Sequence, residues 1–245
     1  MASARVNAAA DPSAHRPIRV LIVDDHALVR DGIRKLLGQE PGLEVCGEAE
    51  GVVDAKRRID DALAPDIVIV DLMLKDGNGL DLIKWIGERH PDTKTIVATM
   101  HDERVYGGRA LRAGASGFVS KQAPSRTIIE AIRALRSDRL CFSEALTKRI
   151  LQRARRGDTD LERSPIEGLS DRELEVFRLM GAGRTTREIA ERLHLGPSTV
   201  ETYHQRLKNK LQILNTAELR FEATRWALEQ EHSTSVFSNP RSLKR

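Results

Sequence analysis

Apolar residues in the first half of the chain fall into short, nearly unbroken runs separated by amphipathic stretches. The runs at 18–23, 67–70 and 95–98 lack the alternation of a half-exposed strand, so they read as strands buried on both faces. After the first run, residues 26–37 set Leu28, Val29, Ile33, Leu36 and Leu37 at helical spacing, and Gly38 ends that helix. The alternation continues with strands over 43–49, 66–70, 94–98 and 117–119, and helices over 52–63, 80–88, 104–113 and 126–136. Five strand–helix units of this kind imply right-handed crossovers and one parallel sheet covered on both sides.

Beyond residue 138 the pattern loosens, with a helix expected over 144–155 and a polar, flexible connection over 157–165. It then turns purely helical. Ser170 with Glu173, Thr185 with Glu188, Ser198 with Glu201 and Asn215 with Glu218 have capping-box spacing or its asparagine analogue. They predict four helices, over 171–182, 186–193, 199–212 and 216–229. The organisation expected is a disordered segment 1–17, an α/β domain 18–138, a linker 139–166, a helical domain 167–229 and a disordered tail 230–245.

Composition adds direction rather than detail. The 245 residues suffice for two domains, and no apolar run reaches the roughly 18 residues needed to cross a bilayer, so a cytoplasmic protein without membrane contact is expected. Cys46 and Cys141 are far apart and outside any metal-type spacing, which argues for reduced thiols and against zinc. Net charge is +4 and unevenly shared: residues 18–138 hold 18 basic and 20 acidic side chains, residues 139–245 hold 20 and 15. An acidic pocket in one half and a polyanion partner for the other are compatible with that division.

The chemistry sits at the ends of the strands. Asp24 with Asp25, Asp71, Thr99 and Lys121 each follow an apolar run, and in a parallel sheet those ends converge on the edge where ligands bind. Three clustered carboxylates repel unless a hard cation joins them, and Mg2+ prefers such oxygen ligands. Asp71 is then the natural nucleophile, forming an aspartyl phosphate beside a metal held by Asp25 and Asp71, with Asp24 holding metal-bound water. Lys121 would pair with one phosphoryl oxygen and the Thr99 hydroxyl would donate to another.

The motifs Val23-Asp24-Asp25-His26, Asp71-Leu72-Met73-Leu74, Thr99-Met100-His101-Asp102-Glu103 and the stretch from Gly114 to Lys121 resemble the receiver domain of bacterial two-component response regulators. The resemblance implies phosphoryl transfer from a sensor histidine kinase to Asp71, the backbone carbonyl of Met73 as a further magnesium ligand, and Thr99 with Phe118 as a switch pair. It also implies a five-stranded, doubly wound, flavodoxin-like fold. Two positions depart from the pattern: Lys75 and Gln122 stand where receivers usually carry proline.

In the second half, helices 186–193 and 199–212 have helix-turn-helix spacing, with Gly196 available for the turn. Val200, Tyr203, Leu207 and Leu211 recur on one face of the second helix, which leaves Glu201, Thr202, Gln205, Arg206 and Lys208 facing solvent or a DNA groove. The run from Leu169 to Val176, with Ile189-Ala190, Ser198-Thr199-Val200 and the stretch from Lys208 to Leu211, resembles the LuxR-type DNA-binding domain of the NarL/FixJ class. That resemblance implies base reading by Glu201, Thr202 and Gln205, phosphate contacts by Arg187, Arg206, Lys208 and Lys210, and a homodimer formed through Leu219, Ala223, Trp226 and Ala227 of the last helix. The reading is a phosphorylation-controlled regulator that binds double-stranded DNA, a switch rather than an enzyme. Two alternatives stay open at this point: a receiver acting through protein contacts alone, and a phosphotransfer enzyme with Asp71 as catalytic nucleophile whose helical part merely binds a protein.

Overall fold

The computed structural model describes residues 16–156, 165–166 and 168–236. Most of the segment expected to be disordered at the amino end, the polar connection 157–164, Glu167 and the last part of the tail, 237–245, lie outside the described residues. The first domain begins with β1 (Ile18–Val23), α1 (Ala27–Leu37), β2 (Leu43–Ala49) and α2 (Val52–Arg58), which runs on through a π-helical turn, Ile59–Leu63. It continues with β3 (Ile67–Val70), a two-stranded antiparallel ribbon of β4 (Met73–Leu74) and β5 (Gly77–Asn78), and α3 (Gly79–Arg89). It closes with β6 (Lys94–Thr99), α4 (Glu103–Ala113), β7 (Gly117–Ser120) and α5 (Arg126–Arg136). Sequence periodicity did not foresee the ribbon, because strands of two residues are too short to carry a pattern.

The five long strands form one parallel sheet in the order β2-β1-β3-β6-β7. Their apolar runs have the physical cause expected of them. Leu21, Val23, Val68, Val70, Val97 and Phe118 pack towards the side of α2, α3 and α4, while Val20, Ile22, Ile67, Ile69, Ile96 and Val119 pack towards α1 and α5. With both faces covered, every second residue must be apolar in both registers. Strand order reverses beside β1 and β3, so the carboxyl ends of β1, β3 and β6 open onto one crevice.

Five further helices follow: α6 (Glu144–Arg156), α7 (Asp171–Gly181), α8 (Thr186–Arg192), α9 (Pro197–Leu211) and α10 (Thr216–Val236). Before α6, Cys141 bridges to Gly117, so the start of the expected linker extends the sheet edge. Reciprocal capping boxes open α7 through Ser170 and Glu173 and α8 through Thr185 and Glu188. The expected box of Ser198 and Glu201 does not form. Proline suits the first helical turn, so Pro197 starts α9 behind Gly196 and leaves Ser198 inside the helix. Helix α10 also runs past the expected end at residue 229, since nothing between there and Val236 is a glycine or proline that would stop it.

Helix α10 corrects a second expectation. Leu219 and Ala223 are fully buried and the half-buried Trp226 ring lies tilted against Phe177 of α7, centroids 5.7 Å apart, so these residues of the stripe assigned to dimerisation pack into the core of their own domain. The crossing is tight because Gly181 has no side chain: a Cβ there would run into the carbonyl of Ala223. The Gly181→Val variant is therefore expected to lose about 1–3 kcal/mol in urea unfolding of the full chain, and an unchanged midpoint would contradict this packing.

Candidate functional site

The strand ends deliver the acidic residues to one place. Asp24 and Asp25 leave β1, Asp71 leaves β3, Thr99 ends β6 and Lys121 follows β7. Ligand atoms of Asp24, Asp25, His26 and Asp71 lie within 4.8 Å of one another. The Lys121 ammonium stands between two of these carboxylates, 2.6 Å from Asp24 Oδ2 and donating to Asp71 Oδ2 at 2.6 Å. Asp24 and Asp71 are buried, at 2% and 6% exposure, and Asp25 is partly open.

Each of these groups is fixed by its neighbours. Asp24 Oδ1 accepts the backbone N–H of His26 at 2.9 Å, and the carbonyl of Asp24 accepts from the buried Arg30 guanidinium at 2.6 Å. Arg30 also reaches Glu48 and Glu50, both at 3.3 Å, and Glu50 pairs with Lys75, so the lysine found in place of the usual proline ties its loop to the pocket. On the other side of Asp71, Gly79 donates to the Leu72 carbonyl at 2.8 Å, and a Cβ at Gly79 would collide with the Asp71 carbonyl. His26 Nδ1 lies 2.8 Å from Asp25 Oδ1 without hydrogen-bond geometry.

Burial raises the Asp71 pKa above the usual carboxylate value; Lys121 offsets this only in part, and Asp24 adds to the rise. For Lys121, burial pulls the other way, but Asp71 and Asp24 together outweigh it and hold the ammonium above its ordinary value. Asp71 Oδ2 is taken by Lys121, whereas Asp71 Oδ1 is buried with no hydrogen-bond partner among the described residues. Asp71 lines a cavity of about 520 Å³ together with Asp25, Met73, Thr99 and Lys121. Thr99 is buried and its hydroxyl accepts the His101 N–H at 3.4 Å. Phe118 points inward, 7% exposed, in the core beneath α4.

The helix-turn-helix candidates divide. Glu201, Thr202, Gln205 and Arg206 are exposed on α9, opposite the buried Val200, His204 and Leu207. Glu201 accepts from the Thr186 hydroxyl at 3.0 Å and lies 3.3 Å from His204 Nδ1. Arg206 packs over the Tyr203 ring, 5.7 Å from its centroid. Lys208 is half-buried, and Lys210 turns back to Glu173 at 2.7 Å, away from the face that Gln205 occupies. Arg187 is exposed and donates to Glu191 at 3.0 Å.

Several residues outside the sequence-derived set hold the two domains together. Arg109 of α4 donates to the carbonyls of Leu169 and Ile166, at 2.7 and 3.2 Å, and to Asp171 at 3.0 Å, which also pairs with Lys84 of α3 at 3.1 Å. His194 Nε2 donates to the Lys75 carbonyl at 2.6 Å. The one signal in the sequence was Arg109 itself, a cation on the helix face shared with Tyr106, Ala110 and Ala113. His101 lines the cavity and packs beside the Tyr106 ring, whose centroid lies 5.2 Å away.

Two family models match this arrangement. Residues 20–133 match the response regulator receiver domain and residues 167–223 match the bacterial regulatory proteins of the luxR family. The chain belongs to the response regulators that join a receiver domain to a LuxR-type helix-turn-helix domain, a family of transcriptional regulators rather than of typical enzymes. It is 36% identical over 212 residues to the response regulator UvrY of Escherichia coli, covering 86% of this chain and 95% of that one. It is 33% identical over 223 residues to the DNA-binding transcriptional activator DevR/DosR of Mycobacterium tuberculosis, covering 91% and 100%. A solved structure of RcsB from Salmonella enterica serovar Typhimurium, bound to promoter rprA in the presence of the phosphomimetic BeF3-, superposes with a TM-score of 0.60 at 27% identity, covering 85% of this chain and 99% of that one. Among the described residues no helix is long and apolar enough to cross a membrane.

Burial, then the charges of Arg178 and Lys121, lower the His101 pKa from 6.5 to about 4. The unfolded chain therefore takes up a proton between those values that the folded chain refuses. His101 is expected to contribute stability above pH 6.5 that is lost as pH falls towards about 4, by at most about 3 kcal/mol. His101→Asn should flatten that part of the stability–pH curve measured by urea unfolding, and equal slopes for both proteins would contradict the assignment.

Proposed function

We propose that this chain is a DNA-binding response regulator that accepts a phosphoryl group on Asp71 from a sensor histidine kinase and controls transcription as a homodimer. The observation that carries the reading is the asymmetry of Asp71, a residue that lines the cavity: one oxygen is held by Lys121 and the other is buried and unpartnered among the described residues. In the transfer, a lone pair of Asp71 Oδ1 forms the new bond to phosphorus while the bond from phosphorus to the donor nitrogen breaks and its electron pair leaves with the imidazole. Lys121 keeps its proton and pairs with an equatorial phosphoryl oxygen, and the Thr99 hydroxyl donates to another.

The donor set fits Mg2+. Oxygen ligands predominate, Asp71 Oδ1 lacks any other partner, and Asp25, Asp71 and Met73 line one cavity. Asp25, Asp71 and the Met73 carbonyl would hold the ion and Asp24 its water. When bound, Mg2+ supplies charge neutralisation to the phosphoryl oxygens. Thr99 and Phe118 are the proposed switch pair, with Phe118 inward in the present state.

On α9, Thr202 and Gln205 are proposed to read base edges and Arg206 and Arg187 to hold phosphates, with Glu201 beside them. Lys208 is a further phosphate-contact candidate, and Lys210 would join only after leaving its ion pair with Glu173. The promoter-bound state of RcsB supports this assignment of function to the helical domain.

Treatment with a small acyl phosphate and magnesium should place one phosphoryl group on the wild type and none on Asp71→Asn, read by intact mass. Label retained on the variant would remove Asp71 from its role. In selections from a randomised DNA duplex pool, Gln205→Ala should relax preference at one base pair by about 1–3 kcal/mol, whereas Arg206→Ala should weaken all sequences alike and lower the salt slope by about one. Uniform weakening by Gln205→Ala would contradict base reading.

A further inference from the structure

The cavity above Asp71 is not walled by the receiver alone. Arg178, on α7, and Arg192, at the end of α8, also line it, together with Asp25, Asp71, Thr99 and Lys121. Both belong to the helical domain. Among the described residues neither guanidinium closes an ion pair, and the buried Nε of Arg178 has no hydrogen-bond partner. The nearest acid on the same helix, Glu175, is engaged by Arg172 at 2.7 Å. Two cations with donors to spare thus share a cavity with the carboxylates of Asp25 and Asp71 and the ammonium of Lys121, beneath which Asp24 is buried.

We propose that Arg178 and Arg192 form an anion-binding lip of the phosphoryl site, so that the output domain of the same chain completes the pocket in which Asp71 is phosphorylated. The proposal rests on the reading of Asp71 as phosphoacceptor. Guanidinium groups suit this place because their planar donors match the oxygens of a phosphoryl group and stay charged at every relevant pH. Lys121 and the two arginines line the same cavity, which supplies the positive charge an incoming dianion needs to enter a site that otherwise repels it. The docking that presents them is the set of contacts from Arg109 to Leu169 and Asp171, and from His194 to Lys75. Thr202, Gln205 and Arg206 stay exposed in this arrangement, so occupancy of the pocket and access to the recognition helix do not compete for the same surface. Anion binding and domain docking are then linked, each strengthening the other by the same factor.

The test compares the full-length wild type, Arg178→Gln with Arg192→Gln, Arg178→Lys with Arg192→Lys, and Asp71→Asn, using acetyl phosphate with magnesium. Initial phosphorylation rates are followed against donor concentration. The glutamine pair should raise the half-saturating concentration about five- to tenfold with the maximal rate within about twofold, and the lysine pair should recover most of the loss. A glutamine pair indistinguishable from the wild type would overturn the proposal, as would a lysine pair that fails as badly as the glutamine pair, which would mark a packing role. A wild type that takes up no phosphoryl group, or an Asp71→Asn variant that takes up as much, would instead sink the underlying reading of Asp71.

Discussion

The Lys121 ammonium between Asp24 and Asp71 is the interaction on which the rest of the receiver depends. Two like charges about 4 Å apart at an effective dielectric near 20 cost about 4 kcal/mol, and burial worsens the cost. One cation at 2.6 Å from both carboxylates reverses that sign and draws the ends of β1, β3 and β7 to a common point. The arrangement leaves Asp71 with one satisfied oxygen and one orphan. A fold that merely sought stability would have no use for the second; a buried acceptor without a partner is destabilising unless something arrives to use it.

Around that centre the structure is a series of fastenings. Arg30 joins the Asp24 carbonyl to Glu48 and Glu50, and Lys75 fastens the loop after Asp71 to the same Glu50. From Lys75 the chain of contacts passes through its carbonyl to His194, in the turn before α9. A second path runs from α4 through Arg109 to Asp171 at the start of α7. The buried apolar cluster on the α4 side of the sheet continues into the helical domain through Leu169, Leu174 and Phe177. The acidic pocket and the helix-turn-helix are thus parts of one packed body, with α7 as the shared wall.

Much of this was legible in the sequence, for identifiable reasons. Strands buried on both faces announce themselves as apolar runs, so the bounds of β1 were read without error and the residues at the ends of β1, β3 and β6 could be placed on one edge. Capping boxes at Ser170 and Thr185 are local chemistry and were equally readable. What failed needed knowledge of neighbours. Periodicity shows that Leu219, Ala223 and Trp226 share a face of α10, but only the tertiary packing says that α7 covers it. Ser198 has the spacing of a cap, yet Pro197 before it starts the helix sooner. Arg178 and Arg192 look like solvated helix cations in sequence and acquire meaning only when the second domain is laid against the first.

The central claim is that Asp25 and Asp71 act together as one divalent-cation site at the mouth of β1 and β3. Calorimetric titration of the full chain with magnesium chloride tests it most directly. The account predicts one ion per chain, with the binding heat lost when Asp25 is replaced by asparagine and the fold is intact by circular dichroism. Undiminished binding by a folded Asp25→Asn protein would contradict it.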